Sequence, residues 1–397
     1  MYSKVFPKSR ASTPGQVLNM LADDIDRIVE ESALKLLQIS FPPVRYFLLT
    51  DVMGKDVDDL LVQRAVRECE SYPPRLKLLQ TLRSDGTWPI PKLRKATEDA
   101  GPGPPYGWTY ITMLRNLNFL SDNLTSRDEG YVEAALDRLL TWQTEEGYIP
   151  GPWNMPFALP QYNGFALRAF LHFGMEKDPR VQKLIRWLLS VQRPDGGWIV
   201  PYLEDMKQLP DFKYLRQSDF VDLVNRGKVR EYDPAQFYDV PSCQWTTMMV
   251  VRGLCGSYKL SGTKAAVRGA EFFLNRFFKK NYHTLFYYSE KNWTRLKYPT
   301  YFGSGLCALD ILTWMGFGAD DKRMERPIRW LLGARATDGF WNQSERPHPD
   351  KDQWITEIAL SILNRYSESL KGVPFGREAQ LKGLRPVWPG FPSAARR

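Results

Sequence analysis

The stretch RWLLSVQRPDGGW, residues 186–198, reads as the last turns of a helix, then a tight turn, then an aromatic. Leu184, Trp187, Leu188 and Val191 recur at helical steps and share one face. Asp195 and Gly196 suit a helix stop, because glycine takes a positive φ at little cost. Trp198 can then fold back over the helix it has left. The chain writes variants of this phrase three more times: RLKLLQTLRSDGTW (75–88), RLLTWQTEEGY (138–148) and RWLLGARATDGFW (329–341).

Upstream of these phrases lie apolar helices that align with one another. In the segments beginning at Gly107, Gln161, Gln244, Phe302 and Gln353, one column holds Arg115, Arg168, Arg252, Asp310 and Ser361. Seven residues earlier a second column holds Trp108, Gln161, Trp245, Gly303 and Trp354. Steps of 53, 84, 58 and 51 residues along the first column predict helical hairpins, with an insertion in the long step. A sixth pair is expected from SFPPVRYFLLTDV through DDLLVQRAVRECE. The upstream helices are apolar almost all round, whereas DPRVQKLIRWLL and DDKRMERPIRWLL have one charged and one apolar face, so an inner and an outer layer follow. The expected fold is all-α, an α/α toroid of five to six hairpins, with an open solenoid as the alternative. Its expected limits are a helical extension over 1–40, the toroid over 41–370 with an insertion at 201–241, and a tail over 371–397.

The 397 residues are 43% hydrophobic and 25% charged, the composition of a globular protein, and 13% aromatic, a load that needs cores or a pocket. A net charge of +9 is scattered rather than gathered in runs, which argues against nucleic acid and leaves peripheral contact with an anionic membrane surface open. Cys69, Cys243, Cys255 and Cys307 form no CxxC pair, so neither a disulfide framework nor a zinc knuckle is indicated, and a reducing cytoplasm fits. The N-terminus has no cleavable apolar core, and no apolar run is long enough to cross a bilayer.

The string IRWLLSVQRPDGGW resembles the QW repeat of squalene-hopene and oxidosqualene cyclases and of prenyltransferase β-subunits. Over about residues 40 to 366 the chain looks most like single-domain bacterial squalene-cyclase-like proteins. The resemblance implies an α/α barrel with a pocket for isoprenoid chains. Only the copy around Gln192 is close to full: Leu82 and Ala334 or Arg335 stand where glutamine is expected, and Gly147 is followed by Tyr148.

Class II terpene cyclases carry a DxDD motif whose middle aspartate donates a proton, and KDVDDLL resembles it, with Asp58 as the acid between Asp56 and Asp59. The internal register offers another reading. Asp59, Val62 and Gln63 match Asp178, Val181 and Gln182 at the start of an outer helix, where aspartate is an N-cap. Prenyltransferase β-subunits hold zinc through Asp, Cys and His. Asp239 and Cys243 resemble the first two at the wrong spacing, and Ile355 stands at the histidine position, so no metal and no cofactor are expected. His172, His283 and His348 are isolated. GxSxG, P-loop, HExxH and DDxxD patterns are absent.

The inner-helix N-termini carry Tyr106, Trp108, Gln161, Tyr162, Gln244, Trp245, Tyr298, Tyr301, Gln353 and Trp354, with Asp239, Asp352 and Glu357 nearby. In a toroid these ends meet at one mouth, and a wall of aromatics with few polar groups suits an apolar ligand or a carbocation. The expected partner is an isoprenoid or another apolar chain. If the protein is an enzyme, the expected reaction is acid-initiated, isomerase-type cyclisation without zinc, with Asp58, Asp239, Asp352 or Glu357 as the acid. The alternatives are a carbohydrate-active toroid (lyase or hydrolase) and a non-catalytic helical-repeat binding protein. The insertion could cap the mouth, bringing Asp233 or Asp239, or form a surface arm.

Overall fold

Four turns of the repeat close alike in the computed structural model, which describes residues 14–89, 109–151, 155–199, 223, 241–281, 289–299 and 303–385. Gly86, Gly147, Gly196 and Gly339 all take positive φ, between 81 and 107°. A side chain at Gly196 would also meet the Arg268 carbonyl of a neighbouring helix at 2.7 Å, so turn geometry and packing both select glycine. The indole of each following tryptophan donates back ten residues: Trp88 to the Leu78 carbonyl at 2.9 Å, Trp198 to Leu188 at 2.8 Å and Trp341 to Leu331 at 2.7 Å. Trp198 and Trp341 are fully buried. The backbone amides of these two are held in turn by Thr247 and Thr356, each at 3.0 Å, which ties the turn to the next inner helix.

The glutamine of the phrase has a defined task. Gln143 donates to the carbonyls of Gly147 and Arg180, and Gln192 to those of Gly196 and Ala265, joining each turn to the start of the following outer helix. In the last copy Arg335 takes over: its Nε donates to the Gly339 carbonyl at 3.2 Å and to the Ser32 hydroxyl at 3.1 Å.

Among the described residues the chain is all-α apart from a two-stranded antiparallel ribbon, β1 (Pro150–Gly151) and β2 (Met155–Ala158). The inner elements are α2 (Pro42–Phe47, continued by a π-turn over Leu48–Val52), α5 (Thr109–Asp122), α7 (Pro160–His172), α9 (Gln244–Leu254), α12 (Gly305–Met315) and α14 (Pro349–Leu370). The outer layer has α1 (Pro14–Ile39), α3 (Leu60–Glu70), α4 (Pro73–Thr81), α6 (Val132–Leu140), α8 (Pro179–Ser190), α11 (Lys264–Leu274) and α13 (Lys322–Gly333), with short α10 (Tyr258–Ser261) and α15 (Gly376–Leu381) as connectors. Four outer helices start on side-chain caps: Asp59, Asp178 and Asp321 accept from the amides two residues on, and Thr263 from Ala266.

Neighbouring inner helices pack in the order α5, α7, α9, α12, α14, α2. Leu124, just beyond α5, packs against the cluster that Tyr46 and Leu49 of the α2 segment form with Val62 and Ala65 of α3, bringing the two ends of this series near each other. Each outer helix packs on its inner partner, and α1, at the chain's start, lies along α14. Ser32 of α1 bonds the Gly339 turn and Asp26 accepts from Ser367, so α1 fills an outer position. Residues 376–385, in the expected tail, dock Gln380 against Tyr258 and Trp314. Helices α7 and α9 pack closely: a side chain at Gly164 would lie 2.7 Å from the Val250 Cα and one at Gly253 2.3 Å from the Gly164 carbonyl. That contact sets Arg168 and Arg252 facing the same space.

Candidate functional site

Side chains from all six inner elements meet at one cavity of about 560 Å3, measured out to its opening. Phe47 and Asp51 come from the α2 segment, Asp122 from α5, Arg168 and His172 from α7, Arg252 from α9 and Asp310 from α12. Helix α14 adds Trp354, Glu357, Ile358, Ser361 and Arg365, spaced to share one helical face. Open clefts toward Cys255 and Trp314 and toward Arg115 and Phe165 adjoin it through Arg168 and Arg252. The column Arg115, Arg168, Arg252, Asp310 and Ser361 is therefore the lumen-facing row of the repeat.

Its charges are paired. Arg365 lies 2.9 Å from Asp310 and 3.7 Å from Asp51, Arg252 lies 3.1 Å from Asp310, and Arg168 bonds Asp122 and, at 2.7 Å, the Asn118 side chain. Burial pushes the Asp310 carboxyl up, but Arg365 and Arg252 outweigh it and hold it below the usual carboxylate value. Glu357 goes the other way: burial, then the charge of Asp51, drive it well above an ordinary glutamic acid, although the Ser361 hydroxyl donates to it at 2.9 Å. His172 is pushed down to about 4 by burial and by Arg168, so the imidazole is neutral near pH 7. Tyr298 and Trp354 stack in the wall with centroids 5.0 Å apart and planes 3° from parallel, and Phe47 leans on Trp354.

The sequence-derived candidates scatter. Glu357, Tyr298 and Trp354 line the main cavity. Asp58 is an exposed turn residue, its amide bonded to Asp56, while Asp59 caps α3 through the Leu61 amide at 2.8 Å. Gln63 reaches back to the Val57 carbonyl as Gln182 does to Glu176, so the two helix starts match in detail. Asp352 accepts from the amides of Gln343 and His348, and Gln353 clamps the α1–α2 junction through Phe41 and Ile39. Gln161 is buried, and Tyr162, its hydroxyl pushed up to about 12 by burial, packs beside Tyr110. Gln244 and Trp245 line a separate cleft of about 260 Å3 with Trp293. Tyr106, Trp108, Asp233, Asp239, Tyr301 and the insertion, apart from residues 223 and 241, lie outside the described residues.

Beyond Tyr298, Trp354 and Glu357 of the expected set, the cavity is lined by the later turns of α5, α7 and α9. One expectation needs correction: the wall carries ion pairs beside its aromatics rather than few polar groups. Asp51, Asp122, Arg168, Arg252, Asp310 and Arg365 went unassigned as site residues, although arginines inside otherwise apolar helices were the available clue. Cys243 is buried and its sulfur accepts from Asn281. Among the described residues no group of three or more His, Cys, Asp or Glu is placed to hold a metal ion. Nor, among them, is any helix long and apolar enough to cross a membrane.

No family model matches the chain, and neither does any curated protein. Among solved structures it is similar to a protein from Actinoplanes, at 16% identity over 78% of this chain and 77% of that one, with a TM-score of 0.42. It is also similar to the apo type II terpene cyclase MstE from Scytonema, at 11% identity over 77% of this chain and 99% of that one, with a TM-score of 0.26. Likenesses this distant carry no argument about chemistry, which rests on the cavity itself.

Proposed function

We propose that the chain binds an isoprenoid in the central cavity and starts its cyclisation by proton transfer from Glu357, without zinc. The observation that supports this reading is a buried carboxylic acid, held neutral, on a wall that also carries the stacked Tyr298 and Trp354 rings. Transfer of the carboxyl proton to an alkene carbon leaves a carbocation, which aromatic faces stabilise by about 0.5 to 2 kcal/mol each. The carboxylate left behind keeps the Ser361 hydroxyl bond and gains attraction to Arg365. Loss of a proton from the final cation restores an alkene, so the reaction is an isomerisation with no co-reactant. Asp58, exposed in its turn, is not the acid in this reading.

The test is incubation with squalene and with prenyl diphosphates, followed by product analysis. Cyclic products are expected from the wild type and from Asp58→Asn, and none from Glu357→Gln. Full turnover by Glu357→Gln would overturn the assignment. One observation favours a second reading: Asp51, Asp122 and Asp310 stand in the same cavity as Glu357 and its ring platform, as acid, base and stacking surface would in a sugar-active enzyme. Release of reducing ends from oligosaccharides, in place of terpene products, would favour it.

A further inference from the structure

His172, the last residue of α7, lines both the main cavity and the open cleft toward Cys255 and Trp314. Every other titratable side chain of the main cavity has a polar partner on the protein. Asp310 pairs with Arg252 and Arg365, Asp51 faces Arg365, Asp122 is bonded by Arg168 and approached at 3.5 Å by the Tyr298 hydroxyl, and Glu357 accepts from Ser361. Arg168, one turn before His172, also directs its guanidinium at Asn118 and, at 3.2 Å, at Ser121. His172 differs: among the described residues its imidazole makes no hydrogen bond and no ion pair, and Phe173 packs edge-on beside it at 5.5 Å. The side chain is half-buried and neither ring nitrogen is sealed from the cavity. Burial and the charge of Arg168 keep the ring neutral near pH 7, so one nitrogen donates and the other accepts. A polar group drawn out of water without a partner is costly, and such a group on a cavity wall points to a partner inside the cavity. Arg168 opposes a cationic head there, and Asp122, whose charge also reaches the ring, opposes an anionic one. A hydroxyl both donates and accepts, so it suits either nitrogen of a neutral imidazole. Rings flank the position on both sides, Trp314 in the cleft and Tyr298 with Trp354 in the cavity.

We infer that His172 is a hydroxyl subsite, which binds the uncharged alcohol head of a ligand whose apolar body lies along Tyr298, Trp354 and Phe47. This deepens the isoprenoid reading and rests on it for the apolar body, not for the head. His172 is the residue to vary, because it holds no other part of the wall in place.

The experiment is equilibrium dialysis of the full chain, of His172→Phe and of His172→Gln against farnesol, farnesyl methyl ether, farnesene and dodecanol, with the bound fraction read by gas chromatography. The wild type is expected to bind farnesol about three- to tenfold tighter than the ether or farnesene, the contribution of one hydrogen bond. His172→Phe keeps a ring beside Phe173 and loses both nitrogens, so it is expected to bind the three farnesyl compounds alike. His172→Gln keeps a donor and an acceptor and is expected to recover part of the preference. In NMR spectra of the wild type, the imidazole that titrates near pH 4 is expected to shift more with farnesol than with farnesene. Equal binding of the three farnesyl compounds by the wild type, or a preference that survives His172→Phe intact, overturns the subsite. If no farnesyl compound binds but dodecanol does, and the His172 resonance moves with it, the isoprenoid reading fails and the subsite stands. No binding of either alcohol, or binding that leaves that resonance in place, overturns the subsite. Thermal melts check that the variants fold. Should they not, the comparison of farnesol with farnesene on the wild-type imidazole decides, and equal shifts would count against the subsite.

Discussion

At Glu357 and His172 burial acts on two groups of opposite charge type, and the pH dependence of stability follows with opposite signs. Glu357 has a folded pKa above its unfolded value, so its contribution is full below about 4.5 and is lost as pH rises through the folded value. Glu357→Gln should therefore be more stable than the wild type at pH 8 and close to it at pH 4, as read from urea melts. Indistinguishable melts at both pH values would show that the carboxyl is not held neutral. The same variant is expected to be inactive, a trade of stability against function common at active sites. His172 has its folded pKa depressed from 6.5 to about 4, so the unfolded chain takes up the proton first and stability falls as pH drops through that interval. The full loss is about 3 kcal/mol. In His172→Phe that slope should disappear from melts taken between pH 7 and 4.

Among the elements, the hairpin turn is the unit that the sequence repeats, and its chemistry is local: a positive-φ glycine, an aromatic donating ten residues back, and a side chain that ties the turn to the next outer helix. Arg335 shows that the tie, rather than the glutamine, is what the fold requires. Arg335→Gln should be tolerated within about 0.5 kcal/mol, because Gln143 and Gln192 make the same bond to the glycine four residues on. Arg335→Ala should cost about 1 kcal/mol through loss of the links to Gly339 and Ser32. Thermal melts of the two variants decide it, and equal losses would mean that the bond contributes nothing. The match between Asp59 with Gln63 and Asp178 with Gln182 belongs to the same scale. It was legible because a cap and its partner lie within one turn of each other, and it reads KDVDDLL as a helix start.

Across the whole molecule, the ion pairs of the lumen link inner helices far apart in the chain: Arg365 of α14 reaches Asp310 of α12 and Asp51 of the α2 segment, with its side chain only 7% exposed. Breaking a buried pair by removing one partner leaves an uncompensated charge. Arg365→Met should destabilise the chain by about 3 to 5 kcal/mol, and Asp51→Asn in the same chain should restore part of it. A double variant no more stable than the single would show that the two groups are not coupled. This is also the scale at which the sequence stopped being informative. The repeat period, the apolar and amphipathic layers, the turns and the caps are local properties, and from them an all-α chain of helical hairpins could be read in advance. The lumen could not. The inner helices are apolar almost all round, so their periodicity does not say which face turns inward, and the arginine column read only as a register mark. Which polar residues meet, which carboxyl is left neutral and where the rings stack depend on how six inner elements close on one another. Burial and Coulomb interactions between groups tens to hundreds of residues apart decide those questions, and only the assembled tertiary structure brings those groups within reach.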